Sequence, residues 1–172
     1  RARTAQYRET AHVAEGHNPY RLEIALIDDL EPGDIAVMAC GGSRRIAPWG
    51  GLLSTAATAR KAAGCLTDGF IRDTRAIQAL GFPVFHGGIA PLDSKGRGEV
   101  VAIDEPVRLH DVVVATGDLV FGDADGVVVV PARLEKRVIE TALSKLDAEG
   151  ATTEALRNGA RLADVFQRFG VL

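Results

Sequence analysis

The period of the apolar positions changes about halfway along the chain. Residues 34–40 form a short apolar run that follows the turn Glu31-Pro32-Gly33-Asp34 and breaks at Gly41-Gly42-Ser43, the pattern of a buried strand and then a loop. From 50 to 63, Leu52, Leu53, Ala56, Ala57 and Ala63 recur at helical spacing, and Gly64 stands where a glycine would stop the helix. Residues 65–71 predict a second strand. Residues 74–80 predict a short helix with Ile77 and Leu80 on one face and Gly81 at its end, and residues 83–86 a third strand. Strands and helices alternating at this spacing imply βαβ crossovers and a parallel sheet.

The second half reads differently. Residues 99–103, 107–109, 112–115, 119–121 and 127–130 are short β-rich runs joined by turns such as Gly122-Asp123-Ala124-Asp125-Gly126, which predicts antiparallel pairing. Residues 133–149 then place Leu134, Val138, Ile139, Ala142 and Leu146 on one helical face with Gly150 as the stop, and a last helix covers 161–169. Residues 1–20 are polar and give no apolar run.

At 172 residues the chain reads as one domain, 1–172, able to bury roughly 70% of its unfolded surface. Aromatic residues are only 5%, so the core must be built from Val, Leu, Ile and Ala. A net charge of -3, with only the short pairs Arg44-Arg45 and Lys136-Arg137, excludes a phosphate-backbone footprint and hence nucleic acid as a direct ligand. Cys40 and Cys65 fit neither a disulfide framework nor a zinc pattern, which predicts buried thiols in a reducing compartment. No apolar run approaches the ~20 residues of a membrane span, and the expected location is cytoplasmic. His12, His17, His86 and His110 lack metal-ligand spacing, and Asp123-Ala124-Asp125-Gly126 lacks the downstream Glu of a calcium loop, so it predicts a hairpin turn.

Loops leaving the carboxyl ends of parallel strands converge on one edge, which brings residues 41–53 towards Arg72-Asp73. Pro48-Trp49-Gly50-Gly51-Leu52-Leu53 opens a helix, so free amides and the positive end of the helix dipole face outward, and the glycines let an anion approach. Arg72 adds a forked cation matched to a carboxylate, and Asp73 a hard oxygen for a divalent cation. A 2-oxo acid would use all three. The alternative, in which Asp73 only caps its own helix and Arg72 is a surface cation, has the same spacing.

Four ordered motifs, Trp49-Gly50-Gly51-Leu52-Leu53, Asp68-Gly69-Phe70-Ile71-Arg72-Asp73, Leu80-Gly81-Phe82-Pro83-Val84-Phe85 and Gly122-Asp123-Ala124-Asp125-Gly126-Val127, closely resemble the family of 4-hydroxy-4-methyl-2-oxoglutarate aldolases and the regulator of ribonuclease activity A. The resemblance runs from about Pro32 to the C-terminus, with the family's N-terminal segment absent or partial. It implies a swivelling β/β/α fold with a βαβ half, an antiparallel half and C-terminal helices, assembled as a homotrimer or homohexamer. It also implies a metal-dependent lyase of a small 2-oxo acid, such as 4-hydroxy-4-methyl-2-oxoglutarate or oxaloacetate, that releases pyruvate. On this resemblance the amides of Gly50, Gly51, Leu52 and Leu53 and the Arg72 side chain bind substrate, Asp73 holds Mg²⁺ or Mn²⁺, and Arg72 and Asp73 are the catalytic pair. Glu149 is where relatives carry an acid that reaches a neighbouring protomer's site. The competing function is that of a regulator acting by protein contact. Gly51 and Ala76 stand where the aldolases often carry acids, which implies altered proton transfer and favours decarboxylation over aldol cleavage.

Overall fold

The computed structural model describes residues 1–171 and divides into two units, Arg1–Pro131 and Ala132–Leu172. In the first unit the order is β1 (Ala2–Glu9), α1 (Arg21–Asp28), β2 (Ile35–Ala39), α2 (Gly51–Ala59), β3 (Gly64–Thr67), β4 (Phe70–Ile71), α3 (Thr74–Leu80), β5 (Val84–Phe85), β6 (Gly88–Ile89), β7 (Gly98–Ile103), β8 (Val107–Leu109), β9 (Val112–Val114), β10 (Leu119–Asp123) and β11 (Gly126–Val130). Five strands form one sheet in the order β5-β3-β2-β1-β7. The first four run parallel, and β7 pairs antiparallel to β1. Hairpins β8-β9 and β10-β11 are antiparallel, as their alternation predicts, and the turn after Asp123 is the predicted hairpin.

Period-2 alternation along β2 explains the layering. Ala36 and Met38 face a core closed by Leu26 and Ile27 of α1, Ala57 of α2 and Ile77 of α3. Val37 and Ala39 face the opposite side, where Val107, Leu109, Val114 and Val120 of the two hairpins cover the sheet. Hairpins, sheet and helices are thus the three layers of the β/β/α arrangement. Both cysteines are buried free thiols. Burial is the leading cause that lifts Cys40 to about 12.

Four expectations about elements are corrected. Residues 1–20 hold β1, which lies inside the sheet. Its polar residues have tertiary partners: Arg3 pairs with Asp104 and Asp29, each at 2.8 Å, and buried Thr4 donates to the Glu105 carbonyl at 2.6 Å. Helix α2 ends at Ala59, not near Ala63. Lys61 takes the left-handed conformation (φ 60°), and the Ala62 amide closes back on the Ala57 carbonyl at 3.0 Å. Gly64 instead starts β3, where a Cβ would stand 2.9 Å from the Pro83 carbonyl oxygen of the neighbouring strand segment. The run 65–71 is two strands, because β4 leaves the main sheet to pair with β6 and with Trp49.

In the second unit a 3₁₀ turn (Ala132–Leu134) leads into α4 (Glu135–Arg157) and α5 (Leu162–Phe169). Helix α4 runs straight through Gly150, the fourth correction. One interior glycine costs only about 1 kcal/mol, less than the turns of helix on either side of it contribute. Val165 of α5 is buried, while Leu143 and Leu146 of α4 stay exposed. Among the described residues, no helix is long and apolar enough to cross a membrane.

Candidate active site

Trp49 is the anchor that joins the two predicted loops. It is fully buried, stacks on Phe82 with ring centroids 5.9 Å apart, and donates from its indole nitrogen to Ser54 Oγ at 2.8 Å. Its carbonyl accepts the Arg72 amide at 3.0 Å, and the Ile46 carbonyl accepts the amide of Phe70 at 3.0 Å. These bonds stitch the approach to α2 against β4, so the start of α2 and the Arg72-Asp73 pair meet. On the β2 side, the Asp68 carboxylate takes the Cys40 amide at 2.5 Å and the Gly42 amide at 2.7 Å, which fixes the glycine loop.

Asp73 is the N-cap of α3 in a left-handed conformation (φ 59°), which Asp tolerates better than most residues. It makes no side-chain bond to its own helix. Its Oδ2 accepts the Gly51 amide at 3.0 Å, so it caps α2, a role that sequence spacing alone does not reveal. Arg72 donates from Nη1 to the Ala47 carbonyl at 2.7 Å, with its Nε 3.9 Å from Asp73 and its Nη2 3.9 Å from Asp93. Arg72 is therefore fixed on the loop and is 28% exposed, while Asp73 is 50% exposed. The pair opens on a cavity of about 420 Å³ lined also by Ile89, Ala90, Pro91, Leu92 and Asp93.

Of the four predicted amides, that of Gly51 is taken by Asp73, and Leu52 is 85% exposed. Gly50 is extended (φ -158°), a conformation open to any residue, yet a Cβ there would stand 2.8 Å from Asp73 Oδ2 and 3.0 Å from Arg72 Cγ. Its small size lets the two loops touch. Gly50→Ala is expected to displace the pair and weaken 2-oxo acid binding on the order of tenfold or more, with the circular dichroism spectrum retained. Titration with pyruvate and Mg²⁺ checks this, and unchanged affinity would show that the contact is dispensable.

Asp73 offers one partly exposed carboxylate, and among the described residues no group of three or more His, Cys, Asp or Glu is placed to hold a metal ion. Such a donor set fits Mg²⁺ or Mn²⁺ held by a single carboxylate, with water and substrate oxygens completing the shell. It does not fit zinc. Glu149 lies on α4 in the second unit and pairs with Lys145 at 3.3 Å. His17 meets Glu99 at 3.0 Å, while His86 and His110 line a separate apolar cavity of about 340 Å³ beside the hairpins.

Three residues beside the site gave no sequence signal. Asp93 accepts the Tyr20 hydroxyl at 2.8 Å. Burial and this bond push the Tyr20 phenol up to about 12. Burial opposes ionisation of Asp93, but Tyr20, the Lys95 and Ser94 amides and Arg72 outweigh it and hold the carboxyl below its usual range. Glu23 of α1 is buried against Tyr7, which donates to it. Burial pushes its carboxyl up to about 7, against the opposing pull of Tyr7 and Arg72.

Because the folded form favours neutral Glu23, its contribution to stability is complete below about pH 4.5 and is lost as pH rises through about 7. The shift corresponds to about 3 kcal/mol. Glu23→Gln is expected to remove this loss, leaving stability at pH 8 closer to that at pH 5. Urea unfolding at both pH values checks the expectation; parallel falls in wild type and variant would assign the dependence elsewhere.

The family model of RraA-like proteins (Aldolase/RraA) matches residues 1–129, so the likeness includes the N-terminal stretch before Pro32. A relative from Halalkalibacterium halodurans, provisionally named a 4-hydroxy-4-methyl-2-oxoglutarate aldolase, is 35% identical over 147 residues, 86% of this chain and 69% of that protein. Two further curated relatives are spanned over only 62% and 58% of their lengths. Among solved structures, an uncharacterised protein from Pseudomonas syringae superposes with a TM-score of 0.83 at 25% identity, covering 95% of this chain and 75% of the other. A Streptomyces coelicolor protein, described as an unusual member of the RNase ES inhibitor RraA protein family, gives 0.77 at 29% identity, covering 88% and 74%.

Proposed function

The chain belongs to the RraA-like family, and from that premise we propose that it is a divalent-metal-dependent lyase that cleaves a carbon-carbon bond of a small 2-oxo acid and releases pyruvate. Substrates such as 4-hydroxy-4-methyl-2-oxoglutarate and oxaloacetate define the class. The observation that carries the reading is the junction at the start of α2, where Asp73 caps the helix through Gly51 while Arg72 opens on the same cavity.

In this reading the amides of Leu52 and Leu53, with Arg72, bind and orient the substrate carboxylate. Arg72 is held against rotation by the Ala47 carbonyl, so its remaining donors stay aimed at the cavity. A divalent cation held by Asp73 would supply Lewis-acid polarisation of the 2-oxo group. Arg72 also offsets negative charge that develops as the carbon-carbon bond breaks. Gly51 and Ala76 bring no acid to this end of the site: a Cβ on Gly51 would lie 3.3 Å from that of Ala76. The test is Mg²⁺-dependent pyruvate release across a panel of 2-oxo acids. Release that is absent, or indifferent to chelation, would overturn the proposal.

Homotrimeric or homohexameric assembly belongs to the same proposal, supported by the exposed Leu143 and Leu146 of α4. Glu149 is proposed to serve a neighbouring protomer. A second reading, a regulator acting by protein contact, is favoured by the exposed Val112, Val113, Phe121 and Val128 on the hairpins. It predicts a tight protein complex that survives loss of Asp73.

A further inference from the structure

Behind Arg72 lies a buried carboxylate that the proposed reaction does not use. Glu23, in the first turn of α1, is 6% exposed and is met by the Tyr7 hydroxyl of β1. Tyr7 is a neutral donor, and among the described residues no cation pairs directly with Glu23, so its charged form is costly to bury. From the same end of α1, Tyr20 donates to Asp93 Oδ2 at 2.8 Å, and Asp93 Oδ1 lies 3.9 Å from Arg72 Nη2. Glu23 acts on Arg72 and Asp93 across this cluster.

The other groups around Glu23 keep one protonation state where Glu23 changes its own. Burial lifts the Tyr7 phenol well above its ordinary range, and it lifts the Tyr20 phenol and the Cys40 thiol, just after β2, to about 12 each. These three stay neutral near pH 7. Asp93 stays ionised, because the Tyr20 hydroxyl, the Lys95 and Ser94 amides and Arg72 outweigh its burial. Helix α2, which packs on α1, has no titratable residue, and the one on β7, Glu99, is taken by Arg8 and His17. Glu23 is thus the group of this cluster whose charge changes around neutrality.

Resting on the lyase reading only for the seat of the substrate carboxylate, we infer that Glu23 is a positioning residue for Arg72 and that Glu23 takes up a proton when a carboxylate binds there. With Glu23 neutral, Arg72 has only Asp93 and Asp73 as neighbouring charges. With Glu23 ionised, a further negative charge draws on the same guanidinium and repels the incoming anion, in an interior where salt screens poorly. The coupling is reciprocal: a bound carboxylate favours neutral Glu23 as much as neutral Glu23 favours the carboxylate. Affinity is therefore highest while Glu23 is protonated and falls as pH rises through about 7.

The experiment titrates pyruvate calorimetrically at fixed Mg²⁺ and at about pH 6, 7 and 8.5, in buffers of different ionisation enthalpy, which counts the protons taken up and needs no turnover. Wild type is expected to lose about fourfold in affinity from the lowest pH to the highest and to take up about a third of a proton per ligand near pH 7. Glu23→Gln is expected to keep the low-pH affinity throughout and to bind without uptake. Tyr7→Phe removes a bond that lowers the Glu23 carboxyl, so it moves the fall in affinity to higher pH and keeps the test independent of how Glu23→Gln folds. Uptake that Glu23→Gln abolishes, with the fall displaced in Tyr7→Phe, sustains the inference even when no 2-oxo acid releases pyruvate, in which case the lyase reading alone falls. Wild-type affinity indifferent to pH, uptake retained in Glu23→Gln, a fall left in place by Tyr7→Phe, or no binding of pyruvate overturns the inference.

Discussion

Asp73→Asn is expected to lower metal-dependent pyruvate release on the order of 10²–10³-fold while the protein stays folded. Asn keeps a carbonyl oxygen to accept the Gly51 amide and tolerates the left-handed backbone that Asp73 adopts. The substitution therefore removes the charge and little else. Asp73→Ala removes the α2 cap as well and puts a residue less suited to φ 59° in that position, so a further loss of about 1–2 kcal/mol of stability is expected. Comparing the two variants by turnover, Mg²⁺ titration and urea unfolding separates metal loss from cap loss. Metal-stimulated turnover in Asp73→Asn equal to wild type would remove Asp73 from the proposed metal site.

Arg72→Lys is expected to raise KM about 10–100-fold, because an ammonium cannot hold the Ala47 carbonyl and present a planar fork to a carboxylate at once. A smaller fall in kcat is expected to accompany it, since in the proposed reaction the same group offsets charge that develops later. Steady-state kinetics on the best substrate from the screen gives both numbers. An unchanged KM would place the carboxylate entirely on the α2 amides.

The parts of the site that the sequence made legible are those written in local grammar. Trp49 to Leu53 marks a helix entrance and Arg72-Asp73 follows a strand, and the two segments do meet, but through the bridge of Trp49 to Ile71 of β4, which has left the main parallel sheet. Tyr20, Glu23 and Asp93 carry no such grammar. They reach Arg72 from α1 and from the segment after β6, through packing that no spacing rule encodes. The same limit hid β1, whose Arg3, Thr4 and Gln6 look solvated until Asp104, Glu105 and the Ala39 carbonyl supply their partners. Gly64 and Gly150 misled in the opposite direction. Each reads as a helix stop, but one permits a close strand approach and the other sits in a helix strong enough to carry it.

Strand β1 lies between a parallel neighbour close by in sequence and an antiparallel one far away: Ala5 faces Met38 on one side and Ile103 on the other. The second pairing joins Ala5 to Ile103, far along the first unit, so it cannot form during synthesis until β7 has left the ribosome. Until then one edge of β1 exposes a row of unmatched amides and carbonyls in a nascent chain. Refolding from denaturant would meet the same delay as a slow closing step, and a cut in the loop between β6 and β7 would lengthen it by turning an internal search into an encounter between two pieces.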